Sequence, residues 1–150
     1  MRIRLMKERF KRLQKGPLRW LVAIIGTIQQ SIKFFSPILI YIDREGYWYN
    51  CRREVTFVSP ELNVSSWEAV QAAVMDLWCY NYNLQPGDIV IDIGAGIGDD
   101  AVAFSRLVGK NGRVIAVEAH PRTYRCLLKT IKANRLDNVI AVNAAVSDKE

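Results

Sequence analysis

Histidine is almost absent from this 150-residue sequence, with His120 the single example. Cysteine is sparse as well. Cys51, Cys79 and Cys126 stand far apart and show no CxxC or Cys/His spacing. Zinc sites and disulfide frameworks both depend on such spacings, so neither is indicated and no metal is expected; reduced thiols in a cytosolic setting follow. A clean membrane span is lacking too. A span wants about 20 mostly apolar residues, and the one candidate, residues 18–42, is interrupted by Gln29, Gln30, Ser31 and Lys33. The N-terminus makes a poor signal peptide, because its basic region is long and no small-residue cleavage site follows the apolar run. Internal repeats and low-complexity segments are absent. Acid is missing from one place in particular. Residues 1–20 hold eight Lys/Arg against Glu8 alone, a balance of +7, while the whole chain carries +6, so the other 130 residues sum to −1. The basic character therefore belongs to an N-terminal arm. Such an arm suits an anionic surface, phospholipid headgroups or nucleic acid, and a near-neutral body disfavours nucleic acid.

What is present has a globular composition, half hydrophobic and about a quarter charged. In the arm, Ile3, Met6, Phe10 and Leu13 fall at helical spacing before Gly16-Pro17 breaks the pattern. For residues 1–42 three readings stay open: a helix lying on a membrane, a packed helical extension, and a single span with its N-terminus cytoplasmic. Residues 47–58, rich in aromatic and β-branched types, predict a short hairpin turning at Asn50–Arg53. Ser65 or Ser66 then caps a helix whose apolar face holds Trp67, Val70, Val74, Leu77 and Trp78. The expected organisation is an extension over 1–45, a hairpin and helix over 46–85 that lead into a domain, and the first half of that domain over 86–150.

From Gly87 the chain alternates regularly. Ile89–Ile93 is an apolar run broken by one acid, the pattern of a buried parallel strand. Asp99–Val108 reads as a helix, Arg113–Glu118 as a strand, Pro121–Asn134 as a helix with proline in its first turn, and Val139–Asn143 as a third strand. This order specifies parallel crossovers and a Rossmann-like, doubly wound α/β sheet.

The chemistry lies in the run Asp92-Ile-Gly94-Ala95-Gly96-Ile-Gly98, between the first strand and its helix. Backbone N–H groups at a helix N-terminus can meet a ligand there. A dinucleotide fingerprint, GxGxxG, would need a third glycine at position 99, which is Asp99. Three acids, Asp92, Asp99 and Asp100, are also hostile to a pyrophosphate. They suit a ligand with an amino group and a sulfonium, and S-adenosylmethionine has both. Glu118, 20 residues after Gly98, ends the second strand where a carboxylate can accept from both ribose hydroxyls. Asp99 and Asp100 are open to two roles, contact with the cofactor amine or acids at a helix start.

Residues 86–150 resemble the FkbM family of class I S-adenosylmethionine-dependent methyltransferases. The similarity runs through the glycine loop, the VG-x-x-G-x-V turn, the Glu-x-x-Pro after the second strand, N-x-L-x-N-V, and N-A-A-x-S-D after the third. The resemblance implies that Asp92, Gly94, Ala95, Gly96 and Gly98 hold the methionine part, Glu118 the ribose, and residues Asn143–Ala145, Ala144 among them, the adenine. His120 either borders the adenine or caps the following helix. The fold class implied is a class I methyltransferase sheet, incomplete after its third strand, behind a helical and hairpin extension. The function implied is O-methyl transfer to a small-molecule or glycan hydroxyl. An oxygen acceptor can need a general base, and no residue here is assignable to that role; the acceptor half of the domain is also absent, so the chain by itself is expected to be inactive. Two alternatives are an NAD-dependent oxidoreductase and a non-catalytic protein held at an anionic membrane by residues 1–42. The expected location is cytoplasmic, with or without membrane association.

Overall fold

The computed structural model describes residues 11–34, 36–63 and 65–148. The chain divides into two compact units, Met1–Val64 and Ser65–Glu150.

In the first unit residues 11–15 are helical; the predicted helical positions Ile3, Met6 and Phe10 lie outside the described residues. The apolar stretch that follows is two elements. Helix α1 covers Arg19–Phe34 and strand β1 covers Leu39–Ile42. Among the described residues no helix is long and apolar enough to cross a membrane. Strand β1 pairs antiparallel with β2 (Trp48–Cys51), and β2 with β3 (Thr56–Ser59). The hairpin is as predicted, with its turn moved to residues 52–55. Strand β1 was not expected. It is an edge strand, and α1 satisfies part of its backbone. Thr27 Oγ1 accepts from Ile40 N (2.9 Å) and Ser31 Oγ accepts from Ile38 N (3.0 Å), each hydroxyl also donating to the same residue's carbonyl. Spaced four apart, the two hydroxyls lie on one helix face. Ala23 and Gly26, both small, let α1 come close; a Cβ on Gly26 would lie 3.2 Å from Ile40 Cδ1. Ala23, Ile38, Ile40 and Trp48 form the buried cluster there.

The second unit opens with α2 (Trp67–Ala73), capped by Ser66, whose side chain accepts from Ala69 N. From Val74 to Trp78 the helix widens into a π turn, with Cys79 N bonded to Val74 O. The extra residue per turn puts later side chains out of phase. Trp67, Val70 and Val74 are buried as expected, whereas Leu77 and Trp78 are exposed.

Strands β4 (Ile89–Ile93), β5 (Arg113–Val117) and β6 (Val139–Val142) form a parallel sheet in the order β4-β5-β6. Helices α3 (Asp99–Val108) and α4 (Pro121–Asn134) make the crossovers. This is the α/β arrangement expected, and each of these five elements lies within one residue of its predicted bounds. One expectation fails. Strand β4 was read as buried, but Ile89, Ile91 and Ile93 are 63% to 68% exposed. Both helices pack on the other face, over Val114 and Ala116, so one face of the sheet is uncovered by helices among the described residues.

Asn138 ties the end of α3 to the start of β6. Its Nδ2 donates to the carbonyls of Ser105 (3.0 Å) and Gly109 (2.9 Å), and its Oδ1 accepts from Ser105 Oγ. Carbonyls at a helix C-terminus lack intrahelical partners, and this one amide supplies two. Asn138→Ala should therefore lower the unfolding free energy by about 1–3 kcal/mol. Urea denaturation measures it, and an unchanged midpoint and slope would show that the clamp contributes nothing.

Candidate functional site

The site is built at the carboxyl ends of β4 and β5, where ligands sit in open α/β sheets. As β4 ends, Gly94 N and Ala95 N both donate to Val117 O, at 2.8 and 3.0 Å. The loop is thereby locked to the neighbouring strand before α3 begins. Gly98 shows why the loop needs glycine. Its φ is +87°, and a Cβ would lie 2.6 Å from Leu127 Cδ1. Gly94 has φ +84° with nothing within 4 Å of the Cβ position, so there the backbone conformation alone requires glycine.

Glu118 follows β5 and is 9% exposed. Its Oε2 accepts from Gly96 N (3.0 Å) and its Oε1 from His120 N (2.8 Å). A solvated strand-end acid would make neither bond. The carboxylate holds both loops, and each oxygen keeps a second lone pair for a ligand hydroxyl. The segment after β6 is drawn in as well. Asn143 Nδ2 donates to Glu118 O (2.7 Å) and Ala119 O (3.2 Å). Ala144, next along, is exposed. His120 caps α4, its Nδ1 accepting from Thr123 N.

Asp92 is the electrostatic centre. Its Oδ2 is buried with no hydrogen-bond partner. Burial first, then the charges of Asp100, Asp99 and Glu118, push its pKa from 3.8 to about 6. Burial and Asp100 also raise Asp99. The charges that act on Asp92 are those of neighbouring acids. A buried carboxylate oxygen with no partner, inside a cluster of like charges, is an arrangement that a ligand cation relieves. Asp100 has a second partner, the indole N–H of Trp78, which donates to its Oδ2 at 2.9 Å. Trp78, Tyr82, Asp92, Gly94, Asp100 and Phe104 line part of one cleft of about 360 Å³. Glu118 is not among the residues lining that cleft. The place of Trp78 in this cleft was missed in the sequence, where it reads as part of a helix's apolar face. The signal was weak, because the π turn that aims Trp78 has no periodic signature.

The comparisons with known proteins agree with this geometry. The family model for protein-L-isoaspartate(D-aspartate) O-methyltransferase matches residues 27–148. The chain belongs to this family. A protein-L-isoaspartate O-methyltransferase from Methanococcus aeolicus is 30% identical over 108 residues, covering 71% of this chain and 50% of that protein. One from Methanococcus maripaludis is 26% identical over 131 residues, covering 84% and 62%. The chain thus spans about half to three-fifths of the length of these relatives. Among solved structures, M. jannaschii TYW2 in complex with AdoMet superposes with a TM-score of 0.51 at 24% identity, covering 71% of this chain and 50% of that one. The class I methyltransferase-like α/β fold is therefore present, and the cofactor expected from the glycine loop is the one bound in that neighbour. The FkbM assignment is corrected. The motifs that carried it, the glycine loop, Glu118 and the turns between strands, build the cofactor fold and do not separate one methyltransferase family from another. The nicotinamide alternative falls with the same finding.

S-adenosylmethionine fits the residues present. The acids Asp92, Asp99 and Asp100 would suit its cationic groups, and the free lone pairs of Glu118 would accept from ribose hydroxyls. Glu118→Ala should weaken S-adenosylhomocysteine binding by about 1–3 kcal/mol, through lost charge-assisted bonds; unchanged affinity in calorimetry would overturn the ribose assignment. Asp92 also predicts a pH dependence. A raised acid pKa favours the protonated folded form. That contribution is complete below the ordinary aspartate value and is lost as pH rises through about 6. Asp92→Asn should therefore gain stability relative to the parent as pH rises from about 4 to about 7, while losing cofactor affinity. Thermal melts across that range test it, and a constant difference between variant and parent would contradict it.

Proposed function

We infer that the chain supplies the cofactor-binding part of a methyltransferase that esterifies isoaspartyl carboxyl groups in damaged proteins, taking the methyl group from S-adenosylmethionine. The observation that carries the reading is the acid-lined glycine loop closed by Glu118, set in a chain that matches the protein-L-isoaspartate O-methyltransferase family over residues 27–148. The acceptor is thus a protein carboxylate, in place of the small-molecule or glycan hydroxyl expected from the FkbM resemblance.

The change of acceptor alters the chemistry required. Methyl transfer from a sulfonium is an in-line displacement helped chiefly by positioning. A hydroxyl is a weak nucleophile until a base takes its proton. A carboxylate is ionised at neutral pH and attacks as it stands. No general base is assigned among the described residues, and a carboxylate acceptor has no need of one. The Asp92 cluster then has one task, to hold the cationic donor.

Radiolabelled S-adenosylmethionine, excess protein, and a peptide pair differing only in isoaspartate or aspartate provide the test. Label should reach the isoaspartyl peptide and leave it as methanol at alkaline pH, the behaviour of a methyl ester. Alkali-stable label, equal labelling of both peptides, or none with cofactor binding intact would overturn the acceptor assignment.

A further inference from the structure

Helix α1 presents its residues in an unusual way. It packs on β1 through small side chains, Ala23 and Gly26, and the hydroxyls of Thr27 and Ser31. Val22 and Phe34 are partly buried against the same cluster, and its other large apolar residues point elsewhere. Trp20, Leu21, Ile24, Ile25, Ile28 and Ile32 are each 37% to 67% exposed. At 3.6 residues per turn they share an arc of roughly 140°, and no charged residue falls within it. Scattered exposed apolar residues need no explanation, but a continuous stripe on one helix marks an interaction surface.

Charge identifies the partner. Residues 1–42 contain nine Lys/Arg and the single acid Glu8, and no acid occurs between Glu8 and Asp43. Lys11, Arg12 and Lys15 are exposed just ahead of α1, and Lys33 is exposed at its end. Lys15 also reaches Glu61 at 3.7 Å, with both side chains well exposed to solvent, where such a pair is weak. Lys15, Arg19, Trp20 and Tyr41 line part of a cleft beside the start of the helix, so cations and aromatic rings adjoin the apolar stripe. A second copy of the chain would bring two arms of the same sign together, which disfavours self-association through this face. At 1.5 Å per residue, 16 residues give about 24 Å, a length that lies along a bilayer surface and does not cross it.

We propose that α1 docks in the plane of an anionic phospholipid membrane, its stripe from Trp20 to Ile32 sunk among the acyl chains and the flanking lysines and arginines on the headgroups. Apolar burial and headgroup attraction then act together, as for other interfacial helices. This inference is independent of the acceptor assigned above.

Co-sedimentation of the full chain with vesicles tests it, comparing phosphatidylcholine alone with phosphatidylcholine mixed with phosphatidylglycerol. Binding should be about tenfold or more stronger to the anionic vesicles and should fall as salt is raised. The double variant Ile24→Ser/Ile28→Ser changes only exposed side chains. With its circular dichroism and S-adenosylhomocysteine affinity unchanged, it should lose binding by about tenfold or more. Equal binding to both vesicle types, no binding at low salt, or a double variant that binds like the parent would overturn the proposal. So would a stable dimer in light scattering that the double variant dissociates, because the stripe would then be an interface between copies.

Discussion

The carboxylate of Glu118 accepts from Gly96 N on one side and His120 N on the other, so the loops after β4 and after β5 share one anion. Much of the site depends on that bridge. It holds the glycine loop while Gly94 and Ala95 are bonded to Val117 O. It fixes the turn that places His120 as the cap of α4. Through its own carbonyl, Glu118 receives Asn143 from the third strand's end. Three strand ends are registered on one residue, and the carboxylate that does this is the one expected to accept from the ribose hydroxyls. Structural and binding roles are inseparable here, because the backbone donors that orient the carboxylate also fix its free lone pairs.

Asp92 works in the opposite sense. It is buried, its Oδ2 lacks a partner, and acids surround it. Such a group lowers the stability of the empty protein at neutral pH, and a cationic ligand relieves the strain. Perturbed acids of this kind concentrate at functional sites. The site thus combines a satisfied carboxylate that organises the loops with an unsatisfied one that selects the charge of the ligand. A pyrophosphate would add to the repulsion, and a sulfonium with an amino group offsets it.

The second unit was legible in the sequence because its elements are punctuated. Gly87, Gly98, Gly109 and Pro121 each stand at a boundary, and the apolar period changes between them. Asp92 and Glu118 were legible because their spacing from the glycines is set by strand and helix lengths. Strand β1 was hidden inside an apolar run, and its edge is completed by Thr27 and Ser31, whose hydroxyls have no strand signature. The exposure of Leu77 and Trp78 was hidden because a π turn of five residues breaks the helical period without breaking the helix. The family was misread for a different reason. The recognisable residues serve the cofactor, which many methyltransferases share, while the acceptor chemistry leaves little local pattern in residues 1–150.

Calorimetric titration of the chain with S-adenosylhomocysteine and, separately, with NAD tests most directly whether the charge and spacing of this loop choose the ligand. The account predicts one site that binds S-adenosylhomocysteine and is not competed by NAD. Binding of NAD at that site, or no binding of S-adenosylhomocysteine to the folded chain, would contradict it.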